Sequence, residues 1–188
     1  KRDCPTCKLI EPEIRKLVES GDFGQNLRIY IQDDPSYLSD LSQSVSDASL
    51  ESSYRLKIET VPTLIRFEKG EETSRSVGWV REEWSQLLND SMFGEHLPES
   101  RPGCGSLTVM PGVKETLDAR FGDLPLNSRT IEIGEFDDPI EQAFEHGWSD
   151  GLPIVPPTGE RIIRMLSGTR RNPKEVVGRI PPNLTECT

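Results

Sequence analysis

Basic residues are in short supply. Twenty-two Lys and Arg stand against 32 Asp and Glu, a formal net charge of −10. Surfaces that bind phosphate backbones concentrate Lys and Arg, so no nucleic-acid partner is expected. No apolar run approaches the roughly 20 residues a membrane helix needs, so no membrane partner is expected either. No signal-peptide pattern is visible. Four cysteines are too few for a disulfide scaffold at this size, and the expectation is a cytoplasmic protein. The two histidines, His96 and His146, are isolated, and no motif places a nucleophile or carboxylate beside them, so no catalytic triad is assigned. There is no initiator Met, and the chain begins within a motif, so a longer protein that starts upstream is expected. No repeat of useful period appears.

What is present is a polar chain, 34% hydrophobic and 29% charged, whose 188 residues suffice for one or two small domains. Residues 8–19 place Leu9, Ile10, Ile14, Leu17 and Val18 on one helical stripe. Pro12 lies inside that stripe and is expected to kink it; Gly21 stops it. Residues 27–31 read as a strand, and the Ser- and Asp-rich stretch 33–54 as a loop with one or two weak helices. Val61 to Phe67 and Thr73 to Val77 read as a hairpin, followed by an amphipathic helix over 81–89. Trp79 and Trp84 read as core or interface residues. Residues 93–106, rich in Gly, Pro and Ser, read as a linker. Beyond it are expected a helix over 112–121, a strand over 128–134, a helix capped by Asp138 with Pro139 and Glu141, and a short helix after Asn172.

The chemistry begins at Cys4-Pro-Thr-Cys7. Two cysteines at this spacing on a helix start have a physical rationale. Free backbone N–H groups and the positive end of the helix dipole stabilise a thiolate. Cys4, expected to be the more exposed, becomes the nucleophile, and Cys7, one turn on, resolves a mixed disulfide. A zinc site is the competing reading. It needs further ligands, and Cys104, Cys187, His96 and His146 are all isolated. No metal or organic cofactor is therefore expected.

The pair does not stand alone. Cys4-Pro-Thr-Cys7-Lys8-Leu-Ile10-Glu-Pro12 resembles the active-site helix of the thioredoxin family. Tyr54 to Leu64 resembles the family's segment ending in a cis-proline, Phe67 to Glu71 its hairpin turn, Val77-Gly78 the glycine after its last strand, and 81–89 its terminal helix. The resemblance covers about residues 1–90. It implies an α/β thioredoxin-like fold, with Val61, Pro62 and Thr63 binding the substrate chain. It also implies a strand running into Cys4, which residues 1–3 cannot form; 128–134 is the internal alternative. The dipeptide is Pro-Thr rather than Gly-Pro, Asp3 replaces a tryptophan, and the Ser-rich segment is longer than in thioredoxin.

In the second half, Cys104 sits in a Gly-rich loop. It is an additional redox candidate, with an unreactive loop thiol as its rival. Arg101 to Ser106 and residues 147–158 resemble, faintly, an uncharacterised bacterial group named for a UGSC motif, although Leu107 replaces its last cysteine. Asp150-Gly151 is a turn signal, and Pro153, Pro156 and Pro157 hold the chain extended up to a Thr158 cap; the stretch reads as a connector or as a loop presenting Trp148 and Asp150.

The expected organisation is a thioredoxin-like domain over 1–92, a linker over 93–106 and the start of a truncated α/β second domain over 107–188. The expected activity is thiol–disulfide exchange with protein or small-thiol partners, with a thiol or reductase as electron donor. Two alternatives stay open: a redox donor for an enzyme in the second domain, with Cys104 its motivating feature, and a non-catalytic binding module.

Overall fold

The structure is a computed structural model that describes residues 1–123, 131–134 and 136–188. It is mixed α/β with small sheets. The chain divides into two units, Lys1–Leu117 and Asp118–Thr188.

The first unit begins with helix α1 (Pro5–Ser20). Cys4 is its N-cap and Pro5 takes the first turn, where a missing N–H costs nothing. Its buried positions are Thr6, Cys7, Ile10, Glu13 and Leu17, so the inward stripe expected from spacing extends back to the cysteines. The helix runs through Pro12 and ends at Gly21, which adopts φ 74° and donates its N–H to the Val18 carbonyl.

Strand β1 (Ile29–Ile31) pairs in parallel with β2 (Ser44–Ser46), a strand inside the stretch expected to be loop. A short helix α2 (Glu51–Arg55) follows. Its start is held by Asp47, whose carboxylate accepts the Ser52 and Ser53 N–H groups at 3.0 and 2.9 Å and the Ser53 hydroxyl at 2.6 Å. Then come β3 (Thr60–Val61), β4 (Thr63–Glu68), β5 (Glu71–Val77), β6 (Trp79–Val80) and α3 (Arg81–Leu88). The expected hairpin is β4–β5, in register from Thr63 opposite Val77 to Glu68 opposite Glu71, with a shift between Arg66 and Phe67.

Residues 93–106 differ from the linker expectation. They contain β7 (Ser100–Arg101), which pairs antiparallel with β6, and β8 (Cys104–Gly105), which pairs antiparallel with β3. The division between units falls at Leu117, within α4 (Val113–Phe121), not at 93–106. Gly, Pro and Ser here serve close passage of the chain rather than flexibility. A Cβ on Gly103 would stand 2.6 Å from the Val61 carbonyl oxygen, and one on Gly78 would stand 3.0 Å from the Gly103 nitrogen.

The core of this unit is aromatic. Trp79, Trp84 and Phe93 pack with Ile10, Leu17, Leu88 and Leu97. The Trp79 and Trp84 rings meet edge to face at 5.5 Å, and Trp84 stacks on Phe93 at 6.1 Å. Each indole N–H has an acceptor: Trp79 donates to the Pro98 carbonyl at 2.7 Å and Trp84 to the Gly78 carbonyl at 3.0 Å.

In the second unit, α5 (Pro139–Glu145) starts as expected, with the Asp138 carboxylate accepting the Ile140 N–H at 2.7 Å. Helix α6 (Gly159–Ser167) has Thr158 at its N-cap without a side-chain cap bond. A hairpin of β9 (Gly178–Ile180) and β10 (Thr185–Cys187) ends the chain. The helix expected after Asn172 is a turn, in which Asn172 Oδ1 accepts the Lys174 N–H. That bond holds a turn without supplying a helix's continuing ladder. Of the strand expected over 128–134, residues 128–130 lie outside the described residues, and 131–134 are not strand. Ser149 and Asp150 close the turn before Leu152, and residues 153–157 form neither helix nor strand. No helix among the described residues is long and apolar enough to cross a membrane.

Trp79 is fully buried at the centre of the aromatic cluster. Trp79→Ala is expected to lower the unfolding free energy by about 3–5 kcal/mol, read from chemical denaturation.

Candidate functional site: three thiols at the head of a helix

Cys4 and Cys7 lie one turn apart at the start of α1, and Val61 packs against both. The Cys4 thiol donates to the Val61 carbonyl at 3.5 Å. The Val61–Pro62 peptide is cis. The Pro62 carbonyl accepts the Gly78 N–H at 2.8 Å, and the Thr63 hydroxyl donates to the Thr60 carbonyl at 2.7 Å. Through Gly78, whose own carbonyl holds Trp84, this turn is tied to the aromatic core. The structure thus brings Cys4, Cys7, Val61, Pro62 and Thr63 to one place.

It also brings Cys104 there. In the β3–β8 ladder Cys104 lies opposite Val61, and Gly105 opposite Thr60. Cys104, half-buried, packs on the Cys4–Cys7–Val61 cluster. Its segment is fastened on both sides. The Thr6 hydroxyl donates to the Pro102 carbonyl at 2.7 Å, and the Ser106 N–H donates to the Glu59 carbonyl at 2.9 Å. The Thr108 hydroxyl donates to the Ile58 carbonyl.

This packing corrects one expectation. Cys4 is not the more exposed thiol: it is 1% exposed, against 7% for Cys7. The reason is the segment around Gly103, which lies over Val61 and the head of α1. A helix start would leave Cys4 open if no later strand returned to it.

The three sulfurs differ in acidity. Burial opposes ionisation of Cys4. Hydrogen bonds from the Cys104 thiol, from the Cys7 backbone and thiol and from the Thr6 backbone outweigh it, and the pKa falls below the ordinary value. Burial pushes the Cys7 thiol up to about 12, with the neighbouring Cys4 charge adding to the rise. Cys104 is raised as well, first by donating its hydrogen to Cys4 and then by burial. Of the three, Cys4 is the most acidic, and it lies beside two thiols that ionise less readily.

Two supporting groups carry no recognisable motif. Gln32, buried at the end of β1, donates from Nε2 to the Ser53 and Ser106 hydroxyls, both at 2.8 Å, and its Oε1 accepts the Leu107 N–H at 3.1 Å. It locks the segment after Cys104 to α2. Asp33 accepts the Arg2 and Asp3 N–H groups at 3.0 and 3.3 Å, which fixes the approach to Cys4. Burial opposes the Asp33 charge, and these backbone donors together with the Asp34 N–H overcome it, holding its pKa below the usual range. The glycines flanking Cys104 were the one sequence signal for close backbone approach.

A cavity of about 460 Å3 reaches Cys7, lined also by Ile10 and Ile14 of α1, Ile29 and Ile31 of β1 and Leu64 of β4. Its walls are mainly aliphatic, and Tyr37 faces it. Among the described residues, no group of three or more His, Cys, Asp or Glu is arranged to hold a metal. His96 is exposed beside Glu13 at 3.5 Å, and the His146 ring meets the Trp148 ring at a tilt, with centroids 4.6 Å apart. Cys187 lies in β10 of the second unit.

Two measurements follow from this geometry. Ultraviolet titration of the thiolates is expected to show Cys4 ionising below the ordinary thiol value of 9.0, with Cys7 remaining protonated until about pH 12. Gln32→Ala takes the donor from the buried Ser53 and Ser106 hydroxyls and the acceptor from the half-buried Leu107 N–H, and is expected to cost about 1–3 kcal/mol in denaturation, with faster hydrogen exchange at the Leu107 amide.

No protein-family model matches the chain, and neither the curated proteins nor the solved structures include a match to it.

Proposed function

We propose that the first unit is a thioredoxin-like thiol–disulfide oxidoreductase, with Cys4 as nucleophile and Cys7 as resolving thiol. The observation that carries this reading is the placement of the Cys4 thiol at the head of α1, 3.5 Å from the Val61 carbonyl. A sulfur there accepts the Cys7 and Thr6 backbone hydrogens, which lower its pKa. The peptide edge beside it, paired with Cys104–Gly105 in this structure, is the edge a chain carrying a target disulfide would take once that pairing opens.

The exchange proceeds in two attacks. The Cys4 thiolate attacks one sulfur of the target disulfide, and the other sulfur leaves as a thiolate. Cys7 then attacks Cys4, releasing the target's second thiol and closing a Cys4–Cys7 disulfide. Cys7 is a poor nucleophile while Cys4 is charged. Once Cys4 is in a mixed disulfide its charge is gone, and with it the electrostatic part of the rise at Cys7; burial remains. A thiol or reductase returns the pair to the reduced state. The partners are protein or small-thiol disulfides, and a cytoplasmic location suits a disulfide that is catalytic rather than structural. Val61, Pro62 and Thr63 receive the substrate chain when the β8 segment leaves Val61.

The burial of Cys4 favours one rival, a binding module that keeps the fold without exchange. Insulin-disulfide reduction with a dithiol as electron source separates the two. The full chain is expected to accelerate reduction, and Cys4→Ser to return it to the uncatalysed rate. The rate is expected to rise with pH as Cys4 loses its proton and to level off below pH 9, because the Cys4 pKa is depressed from 9.0. Full activity in Cys4→Ser, or none in the unaltered chain, rules the exchange reading out.

A further inference from the structure

Cys4 has two thiol neighbours, not one. Cys7 comes from its own helix, and Cys104 from a strand that returns later in the chain. We propose that Cys104 is the in-chain disulfide partner of Cys4, and that residues 102–106 occupy the Val61 edge as an internal substrate. The proposal rests on the exchange chemistry above and extends it by naming a partner for the site.

The geometry argues for a built contact. Cys104 is in register with Val61, the residue whose carbonyl accepts from Cys4. The Cys104 side chain packs on the cluster that Cys4, Cys7 and Val61 form. Hydrogen bonds fix the backbone on each side: Pro102 is held by Thr6, Ser106 by Glu59 and Gln32. The contact across Gly103 is close enough that a Cβ there would meet Val61 at 2.6 Å. A ladder on this edge is what an extended substrate would form, and here the chain forms it with itself. Because Cys104 is half-buried and Cys4 almost wholly covered, an outside disulfide meets Cys104 first.

The oxidant is a small organic disulfide, RSSR. The Cys104 hydrogen passes to the Cys4 thiolate, and the Cys104 thiolate attacks one sulfur of RSSR. The S–S bond breaks, and a mixed disulfide forms on Cys104. The departing RS⁻ takes the hydrogen from Cys4 and leaves as RSH. The Cys4 thiolate then attacks the Cys104 sulfur, forming Cys4–Cys104 and expelling a second RS⁻. Two protein sulfurs are oxidised, and both sulfurs of RSSR are reduced. Cys7 can next attack Cys4, forming Cys4–Cys7; Cys104 leaves and takes the hydrogen Cys7 gives up. That last step moves the disulfide with no net oxidation.

The test uses the full chain bearing Cys7→Ser and Cys187→Ala, treated with 2-hydroxyethyl disulfide. Disulfides are mapped by mass spectrometry after non-reducing digestion. A Cys4–Cys104 linked peptide pair is the expected main product. A hydroxyethyl adduct on Cys4 with Cys104 free, or no reaction at Cys104, overturns the proposal. If the unaltered chain still reduces insulin in that case, the exchange reading survives alone. If the pair forms while insulin is untouched, the in-chain partner stands and the outside substrate falls.

A second variant guards against a misfolded first one. Gly103→Ala pushes the segment off Val61, and is expected to speed alkylation of Cys4 by about tenfold, as a cheaper local opening would. In otherwise unaltered protein it is expected to lower the yield of Cys4–Cys104 at equilibrium with RSSR. Unchanged alkylation and unchanged yield overturn the internal-substrate arrangement.

Discussion

The antiparallel contact between β3 and β8 sets the geometry of the site. It is two residues long, Thr60–Gly105 and Val61–Cys104, and a ladder so short cannot hold itself together in water. Its stability comes from neighbours. Thr6 and Glu59 fasten the backbone around it, and Gln32 ties the following residues to β1 and α2. Gly78 and Gly103 allow the backbones to approach, since a Cβ at either would be crowded. Because of this contact Cys4 is covered, Cys104 is beside it, and the peptide edge at Val61 is occupied.

The same contact explains the electrostatics. A thiol at a helix start is helped to ionise by backbone N–H groups, yet burial works against it. The returning strand does both at once: it removes water from Cys4 and supplies a hydrogen-bond donor, the Cys104 thiol. Cys7 is pushed the other way, by burial first. One more acidic thiol beside two less acidic ones follows from where the donors are, and in the proposed exchange this sets the order of attack.

The site is joined to the fold's core by few links. The Pro62 carbonyl holds the Gly78 N–H, the Gly78 carbonyl holds the Trp84 indole, and Trp84 packs within the Trp79–Phe93 cluster. Rigidity at the cysteines is thereby supplied from a group of aromatic rings beyond them. The second unit shows less enclosure: Ala143 and Ile163 are its buried apolar side chains among the described residues. Its helix start at Asp138 follows local capping chemistry that needs no deep core.

Local order was legible in the sequence. The stripe of α1, its stop at Gly21, the β4–β5 hairpin, α3 and the Asp138 cap all rest on interactions within a few residues, where periodicity and capping act. The cysteine pair's position at a helix start belongs to the same class. Tertiary structure decided the rest. Which strand lies on Val61, that 93–106 folds back instead of linking, and that Gln32 and Asp33 brace the site depend on residues far apart in the chain. Two-residue strands leave no alternation to read, and a buried glutamine carries no local signature of its partners. The sequence therefore determined the two sulfurs of α1, and only folding determined that Cys104 would meet them, because pairing across a sheet is set by the packing around both strands.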